Sequence, residues 1–128
     1  MGDPLSGSPP VAFLATTDPS RARDFYQRVL GLTFVADDGV ALVFDLAGTA
    51  LRIARVDSFT PHPFTVLGWR VADVATTVTA LERRGVRFER YAGLEQDALG
   101  IWLSPAGARV AWFKDPDGNV LALSQLSK

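Results

Sequence analysis

The feature that most constrains the fold of this chain is an internal duplication. A short apolar strand, an aspartate, a helix, a glycine and a group of strands occur in this order twice. Asp18 precedes the first predicted helix and Asp73 the second, while Gly31 and Gly85 follow them. Aspartate accepts hydrogen bonds from the free amides at a helix start, and glycine readily adopts the conformation that ends a helix. Such a repeat predicts two copies of one unit that bury their apolar faces together.

The periodicity of apolar residues places the elements of each copy. The first copy begins with the strand VAFLATT, and its helix carries an apolar stripe that includes Phe25 and Tyr26. Strands are then predicted around LTFVA, VALVFDL and TALRIARV, with a two-residue hairpin turn at Ala47 and Gly48. The helix of the second copy is predicted to share one apolar face among Val74, Val78 and Leu81. Strands of the second copy are predicted at FTVLGWRV, VRFERY, LGIWLS, RVAWFKD and NVLALSQ.

Length and composition give the domain organisation. A chain of 128 residues predicts one domain. Residues 1–10 are rich in glycine, proline and serine, which predicts a flexible tail. The domain is predicted to span 11–126, with a first module at 11–56, a proline-containing linker at 57–63 and a second module at 64–126.

Charge and residue usage bear on partners and location. The net charge is −1. This argues against a nucleic-acid partner, because proteins that bind nucleic acids carry a basic surface. No apolar run is long enough to span a bilayer, so no membrane partner is expected. The chain has no cysteine and shows no secretory signal, and we therefore expect a cytoplasmic location.

Three stretches of the sequence resemble the vicinal oxygen chelate superfamily. That superfamily includes glyoxalase I, extradiol dioxygenases, fosfomycin-resistance enzymes and bleomycin-resistance binding proteins. The stretches are TDPSRARDFYQRVLGL, VADVATTVTALERRGVRFER and WFKDPDGNVLALSQ. The resemblance implies an α+β fold of tandem βαβββ modules whose curved mixed sheets form a cleft. It also implies a homodimer, since related chains pair.

The metal site implied by the resemblance lacks suitable ligands here. Metal-dependent members hold a divalent ion through His, Gln or Glu on four strands, and the matching positions are Val11, Arg52, Val66 and Ala122. Valine and alanine offer no lone pair, and arginine is a donor only. The one histidine, His62, lies in the linker, whereas the family's iron dioxygenases need two histidines and a carboxylate. We therefore predict no metal and no other cofactor.

Strand alternation predicts an apolar cleft with a few charged groups. Residues two apart on a strand share a face, so neighbours of the four implied positions should line the same cleft. Arg52 and Arg70 could hold a carboxylate or phosphate, or Arg52 could pair with Asp45 while Arg70 lies in water. The predicted ligand-binding residues are Phe13, Asp45, Arg52, Gly68, Arg70, Trp102, Phe113 and Ser124.

The tryptophans are predicted to play different parts. Trp69 and Trp112 are predicted to pack beneath a helix, on the face away from the cleft. Trp102 lies between glycines in an additional segment of the second copy, where it could serve as a lid, a subunit contact or part of a hairpin.

The predicted function is that of a metal-free small-molecule binding protein similar to the bleomycin-resistance branch. It would hold an aromatic or amphipathic ligand, with an anionic group on the ligand as one option. The alternative is a glyoxalase-like lyase or isomerase that acts without the usual metal site and uses Asp45, Tyr26 or Tyr91. The third possible function is that of a structural or regulatory domain without a ligand. Catalytic residues are not assigned, and the balance favours binding over catalysis.

Overall fold

The computed structural model describes residues 2–127, which divide into two compact units between Phe59 and Thr60. This boundary falls inside the segment 57–63 that the sequence marks as a linker. Residues 2–10 are exposed and contain turns, while Met1 of the predicted tail lies outside the described residues. Within residues 2–127, no helix has the length and apolar character needed to cross a membrane.

The first unit holds one βαβββ module. The elements are β1 (Val11–Thr16), α1 (Pro19–Arg23), a π-helical segment (Asp24–Val29), β2 (Thr33–Asp37), β3 (Ala41–Leu46) and β4 (Thr49–Arg55). The sheet has the strand order β1-β4-β3-β2, with β1 parallel to β4 and the other neighbours antiparallel. The helix α1 follows β1 and continues directly into the π-helical segment.

The start and end of the first helix follow from its sequence. The Asp18 carboxylate accepts a hydrogen bond from the Arg21 amide at 3.2 Å, and Pro19 occupies the first turn. Gly31 adopts a φ of 76°, which reverses the chain after the helix. The last turns widen into a π-helix, in which the Leu30 amide donates to the Phe25 carbonyl. This widening leaves no mark in the apolar periodicity, and the sequence did not indicate it.

The second unit repeats the topology of the first. The elements are β5 (Thr65–Arg70), α2 (Val74–Arg83), β6 (Trp102–Leu103), β7 (Arg109–Lys114) and β8 (Val120–Gln125). The sheet has the strand order β5-β8-β7-β6, and β5 is parallel to β8. The two modules confirm the predicted α+β fold of tandem βαβββ units.

Each sheet carries its core on the face that its helix covers. In the first module, buried Tyr26 packs against Phe44 of β3 with ring centroids 5.9 Å apart. In the second module, the predicted stripe of α2 is buried and the strands contribute Phe113 and Leu121, both fully buried. The opposite face of each sheet carries alternate residues, and we call it the helix-free face of that module.

The segment between α2 and β7 differs from the prediction. VRFERY makes one isolated bridge, Phe88 to Phe113, and LGIWLS contributes only the two residues of β6. The reason is the Gln96 side chain, which accepts from the Tyr91 amide and donates to the Glu89 and Gly100 carbonyls. A side-chain amide thereby takes over backbone hydrogen bonds that a neighbouring strand would otherwise make. The segment is a loop, and the Arg90 guanidinium also holds it closed by donating to the Asp97 and Ala98 carbonyls at 2.7 Å each.

The DPDGN turn between β7 and β8 has the structural role that its sequence predicts. The buried Asp115 carboxylate accepts from the amides of Asp117 and Asn119 and from the Asn119 side chain. Gly118 takes a φ of 91°, a conformation that suits glycine. The turn fixes the register of the hairpin and therefore which side chains of β7 and β8 share a face.

Candidate ligand-binding face of the second module

The strand register aligns small and large residues on the helix-free face of the second module. Gly68 of β5 lies opposite Ala122 of β8, and Ala122 lies opposite Trp112 of β7. A Cβ atom at Gly68 would lie 3.1 Å from the Ala122 carbonyl oxygen, closer than ordinary contacts. A side chain at this position would require the neighbouring strand to shift by a few tenths of an ångström, so glycine suits the close pairing and leaves the centre of the face low, without a side chain.

Three aromatic rings stand beside this low centre, and we call Tyr91, Trp102 and Trp112 the aromatic cluster. The rings of Tyr91 and Trp112 meet edge to face with centroids 5.4 Å apart, and those of Trp102 and Trp112 lie 6.0 Å apart. The Trp112 indole N–H donates to the Thr65 hydroxyl at 3.1 Å, which fixes the orientation of the ring. All three cluster residues are half-buried, so part of each remains open to a ligand.

A cation lies at the other end of the same face. Arg70 pairs with Ser124 in the strand register, and Ser124 pairs with Val110. Arg70 is exposed, and no carboxylate within residues 2–127 lies within ion-pair distance of it. The guanidinium is thus available to an anionic partner.

Tyr91 keeps its proton at neutral pH. Partial burial of the ring raises the pKa of the Tyr91 phenol, and the nearby Glu89 carboxylate raises the pKa further. The hydroxyl is therefore a hydrogen-bond donor rather than a base under ordinary conditions.

The helix-free face of the first module has a different charge arrangement. Phe13, Arg52 and Val43 lie in one row across β1, β4 and β3, and the Phe13 side chain is 65% exposed. The Arg52 guanidinium donates to the Asp38 carboxylate at 2.8 Å. The Asp45 carboxylate accepts from the Gly48 amide at 3.1 Å. The expected pairing of Arg52 with Asp45 is wrong, because the turn that precedes β3 brings Asp38 to Arg52 instead.

Comparison with known proteins places this fold in a family. The model of the Glyoxalase/Bleomycin resistance protein/Dioxygenase superfamily matches residues 9–123. The chain belongs to this superfamily. A comparison with curated proteins found no match.

Solved structures that are similar to this chain include a binding protein and a lyase. TnmS3, an antibiotic binding protein from Streptomyces sp. CB03234, has 29% identity and a TM-score of 0.70, with 94% of this chain and 98% of that chain covered. A superfamily member from Sphaerobacter thermophilus DSM 20745 has 25% identity and a TM-score of 0.73, and the match covers 91% of this chain and 95% of that chain. Lactoylglutathione lyase from Agrobacterium tumefaciens has 21% identity and a TM-score of 0.71, covering 96% of each chain. The last likeness shows the fold alone.

The superfamily fold divides the predicted site residues between the modules. Gly68, Arg70, Trp102 and Ser124 share the helix-free face of the second module, as the alternation of β5 and β8 predicts. Phe13, Asp45 and Arg52 share the helix-free face of the first module. Their part in ligand binding stays a prediction.

Phe113 does not lie on the helix-free face, and that prediction is wrong. It is 0% exposed and packs between Phe88, with centroids 5.4 Å apart, and Trp69, at 6.3 Å. The same one-residue error assigned Trp112 to the core. The register pairs Ala122 with Trp112, so Trp112 faces the candidate site and Phe113 faces away. The correct facing could have been obtained by counting both strands outward from the DPDGN turn.

The residues at the implied metal positions do not fit a divalent ion. Arg52 is a cation already paired with Asp38, while Val11 and Ala122 have no side-chain lone pair. In the part of the chain that the structure describes, no three histidine, aspartate or glutamate side chains group closely enough to bind a metal. We therefore derive no chemical step through an ion at these positions.

Proposed function

We propose that this protein is a metal-free small-molecule binding protein that holds an aromatic ligand on the helix-free face of its second module. The observation that carries the proposal is the aromatic cluster, whose rings lie 5.4 and 6.0 Å apart beside the low centre formed by Gly68 and Ala122. A flat ring laid there gains both stacking and apolar contact. Each aromatic pair contributes about 0.5–1.5 kcal/mol beyond the area it buries.

The relationship to a binding protein supports this proposal. TnmS3, named as an antibiotic binding protein, is 29% identical to this chain over 94% of its length. Antibiotics of many classes are large and aromatic, and they fit a face with ring stacking and few polar groups. We extend that class of ligand to this protein on the strength of the aromatic cluster.

The placement of the suggested catalytic residues favours binding over a lyase or isomerase. Tyr26 is 0% exposed and lies in the helix-covered core of the first module, away from the helix-free face of that module. One oxygen of the Asp45 carboxylate already accepts a hydrogen bond from the Gly48 amide. Tyr91 has a raised pKa and stays protonated, so it is a poor base.

The experiment measures affinity for an aromatic probe by isothermal titration calorimetry. We expect 1-naphthalenemethanol to bind the wild-type protein and Trp112→Leu to weaken that binding by about tenfold, since one ring of the stack is lost. Trp69→Leu is the matched control because Trp69 packs against Phe113 on the opposite face. Equal affinity in wild type and Trp112→Leu, or binding by neither, would refute the proposal.

We further propose that the chain forms a single cytoplasmic domain that pairs as a homodimer and binds neither nucleic acid nor membranes. The exposed apolar residues Val11 and Phe13, at 46% and 65% exposure, support pairing because a second copy could cover them. Sedimentation velocity tests this proposal, and Phe13→Ser should shift the protein toward the monomer. A monomer at all concentrations would contradict the pairing.

A further inference from the structure

The second module has a hollow of about 290 Å³ next to the aromatic cluster, and we call it the linker hollow. Tyr91 is part of the aromatic cluster and also lines the linker hollow. Gly118 of the DPDGN turn lies against Pro61, since a Cβ at that position would be 3.1 Å from the proline Cγ. The lining residues are Pro61, His62, Pro63, Tyr91, Lys114, Gly118 and Val120.

Three polar side chains of the linker hollow have unused hydrogen-bonding capacity. The nearest carboxylate oxygen to the Lys114 ammonium belongs to Glu89 and lies 3.8 Å away, beyond hydrogen-bond distance. Within residues 2–127, the Tyr91 hydroxyl and the His62 ring make no hydrogen bond, and His62 stacks on Phe64 at 4.9 Å. The hollow therefore presents one positive charge and two further polar groups among apolar proline, valine and glycine surfaces.

We propose that the linker hollow binds the carboxylate of an aromatic acid whose ring lies on the aromatic cluster. The inference rests on the proposed function and names the ligand class for that site. A carboxylate accepts hydrogen bonds only, which matches the Lys114 ammonium and the protonated Tyr91 hydroxyl. The bound carboxylate would replace Glu89 as the near counter-ion of Lys114.

The strand register distinguishes this position from the one at Arg70. Lys114 pairs with Val120, the next row holds Trp112, and Arg70 lies in the row beyond that one. A ring on Trp112 therefore has a cation at either end. The Lys114 and Arg70 side chains are both exposed, Lys114 by 49%. Lys114, however, lines a hollow together with Tyr91 and His62, so a carboxylate bound there can also accept a hydrogen bond from the Tyr91 hydroxyl. The geometry thus assigns the carboxylate to the Lys114 end.

The volume of the hollow limits what enters it. Pockets that hold a whole drug-sized ligand measure about 300–1,000 Å³. At about 290 Å³, the linker hollow lies just below this range, whereas a cavity of about 150 Å³ already holds a benzene ring. The hollow therefore has room for the carboxylate and an adjoining ring, and a drug-sized ligand extends out of it onto the aromatic cluster.

The test compares two probes of similar shape, 1-naphthoate and the neutral 1-naphthalenemethanol, by calorimetry. We expect the wild-type protein to bind naphthoate about tenfold more tightly than the alcohol, as a charge-assisted hydrogen bond provides. Lys114→Met should bring the affinity ratio of the two probes close to one, while Lys114→Arg should largely keep it. Glu89→Gln should increase the ratio because it removes the competing carboxylate. Arg21→Met, which removes one exposed positive charge from the first module, is the matched control and should leave the ratio unchanged.

The outcomes separate this inference from the proposed function. If the ratio disappears in Arg70→Met but persists in Lys114→Met, the carboxylate binds at the Arg70 end and the inference is wrong, while aromatic binding stands. If both probes bind the wild type equally, the inference is also wrong. If neither probe binds, the inference and the proposed function both fail. Glu89→Gln keeps the test decisive even where Lys114→Met does not fold.

Discussion

Trp112 and Phe113 are sequence neighbours on opposite faces of one strand, and substitutions at the two positions should have opposite effects. Phe113→Leu removes three carbon atoms from a side chain that is 0% exposed. At roughly 0.8 kcal/mol per buried carbon, the free energy of unfolding should fall by about 2–3 kcal/mol. Trp112→Phe changes a half-buried ring and removes one partly exposed hydrogen bond to Thr65, so its cost should stay near 1 kcal/mol. Ligand affinity should instead fall in Trp112→Phe and stay unchanged in Phe113→Leu.

Urea unfolding monitored by circular dichroism gives the stabilities, and calorimetry with 1-naphthalenemethanol gives the affinities. We expect Phe113→Leu to lower the unfolding midpoint without changing the slope and to bind the probe like the wild type once folded. Trp112→Phe should unfold close to the wild type and bind two- to fivefold more weakly, since a smaller ring remains in the stack. A folded Phe113→Leu variant that loses probe affinity, with Trp112→Phe unaffected, would refute the assignment of faces.

Three other perturbations test separate parts of the structure. Hydrogen bonds from the Ala41 amide, and then from Arg52, lower the pKa of Asp38 to about 2 from an ordinary 3.8. The stabilisation that charged Asp38 provides is therefore present above pH 3.8 and is lost as the pH falls through about 2. A carboxyl NMR titration should show this pKa, and Arg52→Ala should raise the pKa only in part. Asp73→Ala removes the acceptor for two amides at the start of α2 and should destabilise the protein by about 1 kcal/mol in urea unfolding, without changing probe affinity. With Ni²⁺, Zn²⁺, Mn²⁺ or Fe²⁺ added, we expect neither stoichiometric metal by elemental analysis nor turnover of methylglyoxal with glutathione. Stoichiometric metal alone would contradict the metal-free proposal, and metal together with turnover would also contradict the binding function.

Local signals in the sequence were sufficient to predict the elements that local chemistry determines. Asp18 and Asp73 cap the two helices by hydrogen bonds to amides within three residues. Ala47 and Gly48 form the two-residue turn with φ values of 51° and 99°, which sets the register between β3 and β4. Because the same order of elements occurs twice, correct prediction of one module largely gave the other.

Two of the errors arose where the path of a loop decides which groups a side chain meets. VRFERY has the composition of a strand, but Gln96 draws the chain into a loop by bonding backbone groups of Glu89, Tyr91 and Gly100. Asp38 rather than Asp45 pairs with Arg52 because the bulge in β2 and its following turn aim it there. Neither partner can be identified from spacing, since each depends on the three-dimensional path of a loop.

Only the part of the candidate site that lies on regular strands could be predicted from the sequence. Strand alternation placed Gly68, Arg70 and Ser124 on one face, because β5 and β8 are regular across these positions. Nothing in the strand pattern singles out Lys114, and the sequence places His62 in the linker without assigning it a role. Their common hollow forms only when the linker packs on the DPDGN turn, through the contact between Pro61 and Gly118. A contact between segments so far apart in the chain leaves no signal in either segment.

The two modules share a topology but differ in how their cations are used, and this difference locates the binding chemistry. In the first module, Arg52 is bonded to Asp38, and Arg55 is bonded to Asp37 through both terminal nitrogens. These pairs fasten the β2–β3 turn to β4, so the positive charges serve the fold. In the second module, the nearest carboxylate to Lys114 is 3.8 Å away, and Lys114 lines a hollow with Tyr91 of the aromatic cluster. A ligand anion competes poorly with an aspartate already held by a hydrogen bond, but it can displace a loose partner. Duplication therefore supplied two similar sheets, and the sequence differences between them leave the second as the better surface for an aromatic acid.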